Sequence, residues 1–181
     1  MIVMGYPCIG KTTLSQKSLE YIDLETTNFW LTKVTSQGKE TYRPADWHKI
    51  YCNIAIDLHK QGYIVLTSPN IDIRMYFIHC KEKGILTFED IVCTCFPSLK
   101  MKDFWIQRAQ HRYDRDPSNK NKRALDHILD FYEDDITGMA HSPFIHIKLF
   151  NNNYDLDRVI QNQKRRSEAI IEQKLKRIEG R

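Results

Sequence analysis

The sequence predicts an α/β fold: a five-stranded parallel sheet with helices on both faces. Three observations predict it. Five short apolar runs of strand length recur along the chain. Segments of helical periodicity lie between them, and this alternation is the signature of parallel βαβ units. The third run, at residues 63–67, is apolar throughout rather than alternating, as expected of a strand covered on both faces. With 181 residues the chain is long enough for one well-buried domain and short for two. No internal repeat and no linker interrupts it, so residues 1–163 are read as one domain and 164–177 as a basic helical tail.

The elements follow in order. Ile2-Val3-Met4 is the first strand, ending at Gly5, and residues 12–20 form the first helix. Residues 21–25 are a second short strand that carries Asp23 and Glu25 at its end. Residues 26–43 are polar and aromatic with one glycine, and are expected to be irregular. A helix is expected from near Pro44 to residue 60, since proline suits a first turn. Trp47, Ile50, Tyr51, Ile54 and Leu58 give it an apolar stripe, and Gly62 ends it. Residues 63–67 are the third strand, and 71–83 a helix stopped by Gly84. Residues 91–96 are the fourth strand, closed by Pro97. Residues 102–111 and 125–136 are helical, 144–149 are the fifth strand, and a polar helix starts near Asp155.

Composition excludes several classes. Hydrophobic residues make up 41% and charged residues 28%, a globular balance incompatible with a fully disordered chain. No run approaches the roughly 18 apolar residues of a membrane helix. The first residues meet glycine at once and carry no basic region of a secretory signal. The expectation is a cytoplasmic protein with no membrane partner. The five cysteines are odd in number, irregularly spaced and without a CxxC pair, so neither a disulfide framework nor a zinc site is expected. Cys93 and Cys95 share one face of a strand, where a free thiol packs as a small apolar group.

The charge is unevenly distributed. Lys and Arg total 27 against 23 Asp and Glu, a net of +4. Residues 164–181 hold seven basic and three acidic residues, which accounts for the whole excess, and residues 1–163 balance at 20 of each sign. The total therefore does not imply a nucleic-acid surface over the domain, and a nucleic-acid partner is open only to the tail. The last four residues, Ile178-Glu179-Gly180-Arg181, match a protease recognition sequence and are set aside as a vector remnant. Nothing in the pattern fixes an oligomeric state, and a homodimer stays open.

The most informative motif is Gly5-Tyr6-Pro7-Cys8-Ile9-Gly10-Lys11-Thr12, which satisfies GxxxxGK[ST]. Roughly one chain in 200 of this length matches by composition alone, so position decides. Here the motif follows a strand and opens a helix, the context that gives it meaning. Gly5 and Gly10 let the backbone curl so that successive N–H groups, including those of Cys8 and Ile9, converge on phosphate oxygens. The helix N-terminus at Lys11, Thr12 and Thr13 adds the positive end of its dipole. Lys11 is expected to supply a point charge to the β- and γ-phosphates, and the Thr12 hydroxyl would ligate Mg²⁺.

The loop, the short first strand and the strand order resemble the small P-loop kinases, the group of nucleoside and nucleotide kinases with shikimate- and gluconate-type relatives, in their phage-type form. The resemblance covers roughly residues 1–160. It implies a P-loop NTPase fold, nucleotide-kinase-like, with a short helical lid at about 98–123, and ATP with Mg²⁺ as cofactors. It places an acid at the end of the second strand, here Asp23 or Glu25, to accept the acceptor's proton or hold Mg²⁺ through water. Both share a strand face toward the crevice. Arg108, Arg112 and Arg115 recur at helical spacing, so Arg108 and Arg112 are candidates to neutralise the migrating phosphoryl group. Asn152 falls in the segment that usually contacts adenine. An aromatic group of Phe29, Trp30, Tyr42 and Trp47 with Arg43 suggests an acceptor pocket, in which Trp30 stacks a base and Arg43 holds a phosphate. Arg74 faces either a substrate anion or solvent. Ser68, at the end of the third strand, stands where many P-loop NTPases carry an aspartate, a departure that weakens an ATPase-motor reading.

The expected activity is ATP-dependent phosphoryl transfer to a nucleoside monophosphate or a nucleoside. Two alternatives stand beside it: a kinase acting on nucleic acid, at a 5′ end or a modified base, and a non-catalytic nucleotide-binding module.

Overall fold

The computed structural model describes residues 1–36 and 38–179. Gly180 and Arg181, half of the suspected remnant, lie outside the described residues. The sheet strands are β1 (Ile2–Gly5), β2 (Tyr21–Asp23), β5 (Ile64–Thr67), β6 (Val92–Pro97) and β7 (Ile145–Leu149). They run parallel in the order β2-β5-β1-β6-β7. The helices are α1 (Lys11–Lys17), α2 (Trp47–Lys60), α3 (Ile71–Glu82), α4 (Lys102–Arg115), α5 (Asn119–Ala140) and α6 (Leu156–Glu179). Among the described residues, no helix is long and apolar enough to cross a membrane.

The period of two along each strand divides the core into two layers. Ile2, Met4, Val65 and Val92 pack with Trp47, Tyr51, Ile73 and Phe77 of α2 and α3. Val3, Ile64, Leu66, Cys93 and Cys95 pack on the opposite face with Leu14, Trp105, Ile128 and Ile160 of α1, α4, α5 and α6. Helices thus cover both faces, and the two cysteines share one of them. β1 lies at the centre, between β5 and β6. The chain therefore leaves β1 where the sheet order reverses, and a crevice opens outside the carboxyl ends of the strands at such a point.

Three expectations need correction. Residues 26–43 are not irregular: a 3₁₀ turn (Thr26–Phe29) leads into an antiparallel hairpin of β3 (Leu31–Thr35) and β4 (Gly38–Tyr42). Its β4 strand is exposed throughout, and Val34 of β3 is 73% exposed. With neither face buried, no apolar alternation marks the hairpin in the sequence. The α2 stripe is rotated: Trp47, Tyr51, Cys52, Ala55 and Ile56 are buried, while Ile50 and Ile54 are exposed. The small residues Cys52 and Ala55 let the helix approach the sheet, and the isoleucines are left outside. Finally, α2 begins at Trp47 rather than near Pro44.

The expected lid segment is not a detached flap. A 3₁₀ turn (Leu99–Met101) leads into α4, which is anchored in the core by Met101, Trp105 and Ala109. The α5 helix is anchored by Leu125, Ile128 and Tyr132. Only the outer faces of α4 and of the start of α5 look onto the crevice.

Candidate active site

The crevice is a cleft of about 1110 Å³ at the carboxyl edge of the sheet. Its floor is the loop between β1 and α1. Cys8 takes a left-handed φ of 64°, and Gly10 one of 103°. The second suits glycine and opens α1. A Cβ on Gly5 would stand 2.5 Å from Ile9 Cδ1 and 3.1 Å from Lys11 Cδ, so the loop folds tightly over a residue with no side chain.

The loop's carbonyls are taken from outside the cleft. Trp105 Nε1 donates to Pro7 O at 2.8 Å, and the Tyr154 hydroxyl donates to Ile9 O at 2.9 Å. The two aromatic rings stack, with centroids 6.1 Å apart at 17°. Lys11 Nζ crosses the loop and donates to Gly5 O at 2.7 Å. Among the described residues, the N–H groups of Cys8, Gly10, Lys11, Thr12 and Thr13 have no protein acceptor, the last three being first-turn amides that a helix cannot satisfy itself. A ring of donors is thus left for an anion.

Two carboxylates face this ring. Thr12 Oγ1 donates to Asp23 Oδ2 at 2.6 Å and stands 3.5 Å from Glu25 Oε1. Burial raises the Asp23 pKa from its ordinary value, opposed by the Thr12 hydrogen bond and the Lys11 charge. Burial lowers the Lys11 pKa, opposed by Asp23 and Glu25. Glu25 is also held by Lys120 of α5, whose Nζ lies 2.7 Å from Oε1.

The walls are cationic. Lys11, Arg108, Arg112 and Arg115 line the loop and α4 side, and Arg43, Lys120 and Arg123 line the other side. Against these seven stand three lining carboxylates, Asp23, Glu25 and Asp116. The domain's balanced total conceals this concentration, which low-dielectric walls amplify. Arg108 lies 5.7 Å from both the Trp105 and Tyr154 rings, and Arg112 Nη1 is 3.9 Å from Cys8 Sγ.

The opposite wall is built around Arg43. Its guanidinium lies 4.6 Å from the Trp30 ring and 4.3 Å from the Trp47 ring, and Nη2 donates to Thr26 O at 3.1 Å. Arg123 lies 5.6 Å from the same Trp30 ring. Burial, then the nearby Arg123 charge, lowers the Arg43 pKa from its ordinary value.

The fold thus brings together Cys8, Ile9, Gly10, Lys11, Thr12, Thr13, Asp23, Glu25, Trp30, Arg43, Arg108 and Arg112 around one cleft. Gly5 lies beneath the loop rather than on the cleft wall.

Two expected residues are elsewhere. Arg74 neither faces the cleft nor meets solvent: it is 8% exposed, donates to Pro69 O at 3.0 Å and packs against Gly138. Its role is to brace the turn after β5, of which Ser68 and Pro69 line the cleft. Asn152 is exposed in the bend after β7 and does not line the cleft. Tyr154, two residues on, is the one that reaches the loop. Of the expected aromatic group, Phe29 and Trp47 pack on Tyr51, Tyr42 is exposed, and only Trp30 lines the cleft.

Sequence reasoning missed Lys120, Arg123, Asp116 and Asn121. A run of charge at 114–123 is visible in the sequence, but nothing local says which members turn inward.

Among the described residues, no three His, Cys, Asp or Glu side chains group to hold a metal ion unaided. The Thr12, Asp23 and Glu25 oxygens form an all-oxygen set, which fits a hard ion such as Mg²⁺ that draws its other ligands from water and phosphate. The chain matches no protein-family model and no curated protein.

Proposed function

We propose that the protein is an ATP-dependent phosphotransferase of the P-loop kinase type that moves the γ-phosphoryl group to a nucleoside monophosphate or a nucleoside. The observation that carries this reading is the floor of the cleft. The Pro7 and Ile9 carbonyls are held from behind by Trp105 and Tyr154, and the loop's amides are left for an anion beside Lys11, whose ammonium is tied to Gly5 O, at the point where a parallel sheet reverses its order.

The loop amides and Lys11 bind the phosphate chain of ATP. Thr12, with Asp23 and Glu25 beside it, would hold Mg²⁺, which when bound neutralises phosphate oxygens. Asp23 orients the acceptor oxygen and, where that oxygen is a nucleoside hydroxyl, takes its proton, a task suited to a carboxylate whose pKa is raised by burial. Arg108 and Arg112 stabilise the charge on the phosphoryl group in flight, where positioned positive charge matters more than covalent chemistry. Arg43 and Arg123 provide the acceptor side with anion-binding edges. The Trp30 ring is shared by these two guanidinium groups, so it serves as their platform rather than as a free surface for a base.

The test is transfer from γ-labelled ATP to a panel of nucleosides, nucleotides, oligonucleotides and small sugars. Labelled nucleotide product, lost in Lys11→Ala, is the expected result. ATP binding with no labelled product across the panel would replace this reading with a non-catalytic nucleotide-binding module. None of the basic residues of α6 lines the cleft, so oligonucleotides enter the panel as a comparison arm.

A further inference from the structure

Asn121 stands in the first turn of α5 and lines the cleft, yet it is only 3% exposed. A buried carboxamide needs partners for two donor hydrogens and an acceptor oxygen. Both hydrogens go to one residue: Nδ2 donates to Asp116 O and to Asp116 Oδ2, each at 2.8 Å. Turning the amide over would set Oδ1 against those two acceptors, so its orientation is chemically determined. The segment is braced further. Ser118 N donates to Asp116 O at 2.8 Å, and Ser118 Oγ accepts from Asn121 N at 3.4 Å.

The carboxamide oxygen is left over. Among the described residues, no donor reaches Asn121 Oδ1. Nor is it sealed in: the sealed partnerless atoms are those of Tyr6, Arg43, Thr67 and Thr94. Its open side is therefore the cleft that Asn121 lines. Here a fixed lone pair stands beside the cationic groups Lys120, Arg123 and Arg115, which are donors only, while the Asp116 carboxylate is engaged by the Asn121 amide itself. Those cations take the anionic parts of a ligand, whereas Oδ1 repels an anion and calls for an N–H or O–H donor. Lys120 reaches Glu25 and Arg123 lies over Trp30, so this turn of α5 belongs to the acceptor side.

We infer that Asn121, held by Asp116, is a specificity residue that accepts a hydrogen bond from an amino or hydroxyl group of the acceptor molecule. Naming that molecule the acceptor rests on the kinase reading above. The test measures equilibrium binding, by calorimetry, of matched nucleoside monophosphates. One arm compares bases with and without an exocyclic amino group. The other compares ribose with 2′-deoxyribose and 3′-deoxyribose.

The expected result is that one arm shows a preference of about tenfold to a hundredfold for the donor-bearing member. In Asn121→Leu that ratio falls to about one, because only the donor-bearing member weakens. Asp116→Ala frees the carboxamide without removing Oδ1. It lowers the ratio in part, and it serves if the leucine variant does not fold. Equal or absent binding across every pair in the unaltered protein overturns the inference, as does a ratio unchanged in the variants. Phosphoryl transfer is followed separately. Discrimination without transfer would leave Asn121 its role and remove the kinase reading, and transfer without discrimination would do the reverse.

Discussion

Tyr51→Phe removes one oxygen atom from a place where that atom replaces a rung of the sheet. The parallel ladder between β2 and β5 continues past Asp23, with Leu24 N donating to Leu66 O at 2.9 Å. The next rung would run from Ser68 N to Leu24 O. Instead, the Tyr51 hydroxyl stands between them: it accepts from Ser68 N at 2.9 Å and donates to Leu24 O at 2.7 Å. The two strands part there, with Glu25 and Ser68 on either side of the opening.

Phenylalanine keeps the ring contacts with Phe29 at 5.3 Å and Trp47 at 6.0 Å, so no large cavity opens. What is lost is two hydrogen bonds and the satisfaction of two half-buried backbone groups, worth about 1 kcal/mol each. The expected cost is about 2 kcal/mol, or a melting temperature lower by about 4–8 °C for a chain of this size. Thermal and urea unfolding followed by circular dichroism read it directly, with the urea m-value unchanged. Hydrogen exchange should localise the loss to the Ser68 amide, whose acceptor is removed, while the Leu24 amide keeps its bond to Leu66 O. A variant that melts within about 1 °C of the parent would refute the bridging role and imply that strands and helix hold this opening without the hydroxyl.

Other expectations follow from the same geometry. Lys11→Ala should keep the fold and lower phosphoryl transfer by about 10²–10³-fold, the scale of losing one preorganised charge at a reacting centre, as read by labelled-ATP transfer. Asp23→Asn should abolish transfer yet stabilise the protein near neutral pH. Burial raises the Asp23 pKa in the folded chain, so its proton is held more tightly there than in the unfolded chain. Stability is therefore lost as pH rises from the ordinary value of 3.8 through the folded one. The melting advantage of the variant should shrink as pH falls toward 4, and a constant advantage would count against the shift. Trp105→Phe removes the bond to Pro7 O and should weaken ATP binding about three- to tenfold in calorimetry. Reversing the charge of the exposed Arg165, Arg166 and Lys174 should leave transfer to mononucleotides unchanged, and a large salt-dependent loss on oligonucleotides would favour a nucleic-acid acceptor.

The elements that local chemistry specifies were legible before any coordinates. The β1 and β5 runs are apolar because helices cover both sides, and the loop from Gly5 to Thr12 announces itself because its chemistry needs glycine, lysine and a hydroxyl in adjacent positions. The facing of Asp23 and Glu25 follows from a two-residue period, and that of Arg108, Arg112 and Arg115 from a helical one. The hairpin of β3 and β4 was not legible, since a ribbon exposed on both faces leaves no hydrophobic pattern. The cleft's far wall was not legible for a different reason. Lys120 meets Glu25 across 95 residues of chain, Trp105 meets Pro7 across 98 and Tyr154 meets Ile9 across 145. Contacts at such separation depend on how whole helices pack against the sheet, and no local period encodes them. Arg74 and Asn121 show the same limit. Each is a polar residue on a helix with no local sign of burial, and packing of α3 against Gly138 of α5, or of α5 beneath the cleft, decided which of them would face a ligand.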